Sequence, residues 1–184
     1  MQRTAAASRY DTVAILLHWL IGAALLAQIA FGFLLDDLAP RGTPARSGII
    51  NLHKSLGLVL ALAVVLRLGW RLGHTPPPLP ASMPRWQHRG AVLGHRGLYA
   101  CMVVMPLSGY LGSNFSKHGV KFFGHTWPAW GSDLPAVYTF FNGLHKVTAA
   151  LFCALIAVHV IAALKHAWMD RDGVFGRMLP RRAR

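Results

Sequence analysis

Residues Leu144 to Trp168 read LHKVTAALFCALIAVHVIAALKHAW. The stretch carries no acid, and its lysines, Lys146 and Lys165, stand near its two ends. It exceeds the roughly 20 predominantly apolar residues a helix needs to cross hydrocarbon. Besides His166 near its end, two histidines sit inside it, His145 and His159. Fourteen residues of helix span about 21 Å and close nearly a whole number of turns, so both rings fall on one face, at two depths. An ionisable side chain at membrane depth is costly and marks a candidate site.

Three further apolar runs resemble this one. The four spans are expected at about 12–35, 48–70, 91–113 and 142–168. His18 lies early in the first span and His53 early in the second. The first span is too long for the apolar core of a signal peptide and it carries His18, so it reads as a retained helix. The whole chain, 1–184, reads as one all-α domain, an integral membrane four-helix bundle.

Composition agrees. Hydrophobic residues make up 54% of the chain, charged residues 14%, and the mean hydropathy is +0.39. A soluble domain of this length is rarely so apolar. The net charge of +13 could suggest nucleic acid, but the charges lie between and beyond the apolar runs, so no nucleic-acid partner is expected and membrane lipid is. Cys101 and Cys153 lie within spans, and without a C-x-x-C-H sequence neither covalent haem nor a disulfide framework is indicated.

Arg3 and Arg9 precede the first span. Arg71, Arg85 and Arg89 fill the middle loop, and Arg171, Arg177, Arg181, Arg182 and Arg184 the tail, against Asp170 and Asp172. The other two loops are nearly balanced: Asp36 and Asp37 against Arg41 and Arg46, then Lys117 and Lys121 against Asp133. The positive-inside rule then places both termini in the cytoplasm. The run Thr75-Pro76-Pro77-Pro78-Leu79-Pro80 reads as an extended connector. The 114–142 loop, rich in aromatic residues, reads as an interfacial segment.

With antiparallel spans, depth matching pairs His18 with His159 near the inner face and His53 with His145 near the outer one. Neutral imidazole is a standard ligand of haem iron, and a bundle core with ligands on facing helices suits such a cofactor. Two b haems are therefore expected. A single membrane histidine is more commonly a packing or proton-relay residue; four at matched depths are harder to explain that way. His95 and His166 also lie near the inner face, while His74, His88, His118 and His125 are expected in loops.

The sequences Leu17-His18-Trp19, Leu52-His53-Lys54-Ser55-Leu56-Gly57, Gly94-His95, Val158-His159 and Arg177-Met178-Leu179-Pro180 resemble the bacterial cytochrome b561 family over nearly the whole chain. Within that family the size is similar to the small di-haem superoxide oxidases. The resemblance implies a multi-pass protein of the bacterial inner membrane with two b haems, which oxidises superoxide at the periplasmic face and reduces ubiquinone. His18, His53, His145 and His159 would be the axial iron ligands. Lys54, Lys117, Lys121 and Lys146 would form a positive field that steers superoxide; Lys54 and Lys146 could instead serve haem propionates. His95, His166, Arg67, Arg71 and Arg96 would contact quinone or propionate. Gly22, Gly57 and Gly109 could make room for porphyrin or for close helix packing. The family also contains haem subunits that link a dehydrogenase or hydrogenase to quinone, so a protein partner stays open. A reading from another class is a haem-free transporter or scaffold whose histidines relay protons.

Overall fold

A computed structural model describes residues 9–180. Arg3, Arg181, Arg182 and Arg184, which entered the charge argument, lie outside the described residues, so the domain range 1–184 is described only in part. Four long helices are apolar enough to span a membrane: α1 Thr12–Phe33, α3 Ala45–Gly73, α4 Arg85–Asn114 and α5 Pro135–Lys165. A single turn, α2 Leu35–Leu38, follows α1.

The helix ends follow from local chemistry. Asp11 caps α1, its carboxylate accepting from Ala14 N at 2.9 Å, because the first amides of a helix have no partner within it. Pro44 and Pro84 precede α3 and α4, and Pro135 opens α5, positions where a missing N–H costs nothing. The connector 75–80 is without helix or strand, as its prolines dictate. All four helices differ in extent from the hydropathy runs; α4 starts six residues before its run with the polar turn Arg85-Trp86-Gln87-His88, and α5 seven before its own, opened by Pro135 at a helix start.

The helices run up, down, up and down, with α3 beside α1, α4 beside α3 and α5 beside α4. Both described termini lie at one end, where Tyr10 N donates to Arg177 O. This is called the terminal end. At the other end the all-α expectation meets one exception: strands β1 Val120–Phe122 and β2 His125–Trp127 form an antiparallel hairpin pairing Val120 with Trp127. Phe123 turns it at φ 45° and Gly124 at φ 91°. The segment expected to lie along the interface is thus partly folded onto α3. His88, expected in a loop, is an exposed residue of α4.

The tight core is small and central: Ile21 of α1, Val64 of α3, Cys101 and Met102 of α4, and Phe152 of α5. Large apolar side chains instead line the outside, Leu20 at 67% exposure and Val147 at 68% among them. In water that would be an aggregation hazard; in lipid it is the ordinary solvent-facing surface.

Candidate functional site

Phe152 lies seven residues from both His145 and His159, so the core separates two histidine clusters on opposite sides of it. At the hairpin end the rings of His53 and His145 lie with centroids 6.4 Å apart at 81°. At the terminal end His18 and His159 are 6.2 Å apart at 72°, and His95 is 5.4 Å from His159. With a metal–nitrogen bond of about 2 Å on each side, two imidazoles clamping one ion hold their centroids roughly 6 Å apart. Both pairs fit that requirement.

The hairpin-end pair is held from behind. His145 Nδ1 donates to Met105 O at 2.9 Å and lies 3.2 Å from Ser108 Oγ. An N–H committed to a carbonyl fixes the tautomer and leaves Nε2 free as a ligand. Gln28 Nε2 donates to His53 O at 2.7 Å and stands 3.2 Å from His53 Nδ1. Phe31 meets the His53 ring edge-on at 5.7 Å. Two glycines leave the rings their space: a Cβ on Gly109 would come 3.3 Å from His145 Cε1, and one on Gly32 3.2 Å from His53 Cε1. Gly109 therefore seats an imidazole. Gly57 approaches Gln28, and Gly22 has nothing within 4 Å.

Immediately beyond this pair the hairpin is tied to α3. The Ser55 side chain is fully buried; its Oγ accepts from Phe123 N at 2.8 Å and donates to Asn51 O. Lys54 Nζ donates to Gly119 O at 3.0 Å. That ammonium is an anchor for the hairpin, a use distinct from the steering expected of it. Lys117 and Lys146 are exposed and Lys121 half-buried.

The terminal-end cluster is more crowded. Arg67 Nη2 lies 3.2 Å from His18 Nδ1, while Arg67 Nε is buried and unpartnered. An orphaned guanidinium N–H in such a place calls for an anionic acceptor, and a propionate of a haem held by this cluster has that chemistry. His95 Nδ1 donates to Ala91 O at 2.7 Å. Trp19 stacks edge-on against His18 at 5.3 Å and donates from Nε1 to Met178 O at 2.7 Å, which straps the tail under the bundle. Arg71 donates to His74 O at 3.4 Å, closing the end of α3. Arg96 is exposed on α4. His166 is not drawn into the cluster; it pairs with Asp170 and Asp172. Tyr10, unremarked in the sequence, joins this end: burial pushes its phenol up, opposed by Arg71 and, more weakly, Arg177. Gln28, Gly32 and Ser108 were likewise missed, and Asp170 and Asp172 were counted only as tail charges. Those two acids had the one readable signal, a place among the arginines of the tail.

The prokaryotic cytochrome b561 family matches residues 9–181. The chain is similar to cytochrome b561 homolog 2 of Escherichia coli (strain K12), 32% identical over 183 residues covering 97% of this chain and 95% of that one. It is 26% identical to cytochrome b561 homolog 1 of the same organism, over 95% of this chain and 99% of that one. It is 27% identical to a probable superoxide oxidase CybB of Yersinia pestis, over 95% and 97%. A haem-free scaffold does not agree with these relatives. With four spans, paired imidazoles and a family match across nearly its whole length, the chain belongs to the prokaryotic cytochrome b561 family, bacterial membrane proteins that bind b-type haem and transfer electrons.

Proposed function

We propose that the chain is a superoxide:quinone oxidoreductase of the bacterial inner membrane, with one b haem at each end and both termini in the cytoplasm. The observation that carries this reading is the pair of two-imidazole clamps, 6.4 and 6.2 Å across, at opposite ends of one bundle. His53 and His145 would hold the outer haem, His18 and His159 the inner one. Bound haem supplies a one-electron iron centre at each level. The orientation rests on Arg9, Arg71, Arg85, Arg89, Arg171 and Arg177 at the terminal end.

The chain's own residues have separable tasks. Lys117, Lys121 and Lys146 set a positive field at the hairpin end, which raises the arrival rate of a small anion such as superoxide. Ser55 and Lys54 hold the hairpin down and so limit water at the outer pair. At the terminal end His95 and His166 supply donors to a quinone carbonyl, and Arg71 and Arg96 offset negative charge there. The overall reaction takes two superoxide, one quinone and two protons to two dioxygen and one quinol. The 27% relative named for superoxide oxidation supports this reading.

The test is a visible spectrum of the purified chain followed by pulsed superoxide. About two haems per chain, reduced by superoxide with no protein partner and reoxidised by added ubiquinone, is the expected result. Haem that superoxide fails to reduce would leave a subunit of another dehydrogenase as the function.

A further inference from the structure

α5 does not end as an ordinary helix. The residues that follow it, His166–Asp170, widen into a π-helix, a winding often found at functional positions. Arg171 then takes the left-handed conformation at φ 49° and Gly173 at φ 77°. A non-glycine residue there bears a steric cost that persists only where its surroundings impose it. A single left-handed residue is enough to stop a helix; here two of them turn Asp172 back toward His166.

The two deviations converge on one ring. His166 Nδ1 lies 2.8 Å from Asp172 Oδ2 and 3.3 Å from Asp170 Oδ2. Asp172 is itself held, its Oδ1 accepting from Val174 N at 3.1 Å, and Lys165 Nζ pairs with Asp170. An ionised carboxylate only accepts, so the ring's Nδ1 carries a proton and Nε2 is left for another partner. Side-chain exposure falls from 30% at Asp170 through 20% at Asp172 to 15% at His166: the ring is the least exposed of the three and the acids meet more water. His166 stands seven residues past His159, about 10 Å along the same helix face.

We propose that Asp172, with Asp170, holds His166 as the group that delivers protons to the terminal-end acceptor. The ring takes a proton from the aqueous phase on Nε2 and becomes a cation between two carboxylates. It then gives that proton to a quinone oxygen: the Nε2–H bond breaks, the O–H bond forms, and Nδ1–H stays on Asp172 throughout. Two transfers per quinone match the two electrons from two superoxide. His166 is the catalytic residue and Asp172 the positioning residue. The inference rests on quinone reduction at this end.

The experiment uses the full chain with its haem, reduced by superoxide and then mixed with a soluble short-chain ubiquinone. Asp172→Asn should slow haem reoxidation about tenfold and His166→Ala about a hundredfold, within the range for a positioned proton donor, while the visible spectrum and the rate of haem reduction stay unchanged. Asp172→Glu should restore most of the rate, and free imidazole in the buffer should restore His166→Ala. A purely structural helix end would show no rescue by imidazole. Wild-type reoxidation in both Asp172→Asn and His166→Ala, or absence of imidazole rescue, overturns the proposal while leaving the quinone site standing. Failure of quinone to reoxidise the wild-type protein overturns both.

Discussion

The two histidine pairs have nearly the same spacing, yet they sit in opposite kinds of surroundings. At the hairpin end the groups that hydrogen-bond the rings are neutral: Gln28, Ser108 and the carbonyl of Met105. Glycines stand where a larger residue would collide, and a hairpin is clamped above. At the terminal end a third imidazole approaches His159, Arg67 faces His18, and its Nε has no partner. The difference separates a site built in advance for one cofactor from one whose polar groups still require an anion and an exchangeable reactant. An electron entrance needs little besides close approach, whereas an exit that makes a quinol also needs protons and charge compensation. On the proposed function, the end whose ring contacts are neutral suits the entrance and the end with Arg67 the exit.

The largest effect expected is haem loss. His53→Ala and His145→Ala should each remove the same one of the two haem signals, and His18→Ala and His159→Ala the other, read by the reduced visible spectrum and haem content. His95→Ala should keep both. If His95→Ala removes the terminal-end signal and His18→Ala spares it, the clamp at that end is His95 with His159, and the contrast with the hairpin end must be redrawn around it.

A smaller effect tests whether the hairpin end is built in advance. Gly109→Ala places a methyl 3.3 Å from the His145 ring and should cost about 1–3 kcal/mol by overpacking, seen as a lower thermal midpoint and loss of the hairpin-end haem first. Gly90→Ala, exposed on α4 with nothing within 4 Å of an added Cβ, should leave the spectrum intact and gain up to about 1 kcal/mol, the helix preference of alanine over glycine. Equal behaviour of the two variants would remove the packing argument.

Ser55→Ala takes away the acceptor for Phe123 N and should cost about 1 kcal/mol. Amide exchange should quicken in residues 119–127 and not in the tail. Exchange that rises equally at both ends would mean that the hairpin is not a separately clamped element.

The steering effect is one of rate. Neutralising Lys117 and Lys121 together should lower the second-order rate of haem reduction by superoxide several-fold at low salt. Added salt should narrow the gap between wild type and variant, since the screening length is about 10 Å at 0.1 M. A rate indifferent to both changes would remove the positive field from the hairpin end's function.

Asp36 provides the smallest test. Its hydrogen bond from the Arg46 guanidinium holds the carboxyl below the usual carboxylate range. A depressed folded value means that the contact stabilises above the unfolded carboxylate's pKa and is lost as pH falls through the folded one. Because Asp36 is fully solvated, Asp36→Asn should shift the thermal midpoint barely measurably at neutral pH. A large shift would mean that this loop braces the hairpin end.

The spans, their order and the fourteen-residue repeat of His145 and His159 were legible in the amino-acid sequence because hydrocarbon tolerates only long apolar helices, and helical geometry turns spacing directly into depth and face. The loop charges were legible for a related reason, since a charged group inside the span is costly. Contacts between residues far apart in the chain were not. Ser55 with Phe123, Gln28 with His53, Arg67 with His18 and Gly109 with His145 depend on how helices rotate against one another, and local pattern carries no record of that rotation. The strands at 120–127 escaped notice because three-residue strands lack a period to read, and the turn that brings Asp172 to His166 is set by two backbone angles. Composition and periodicity determined which groups reach each depth of the membrane; only tertiary packing decided which of them touch, since contact energies act across space and hydropathy acts along the chain.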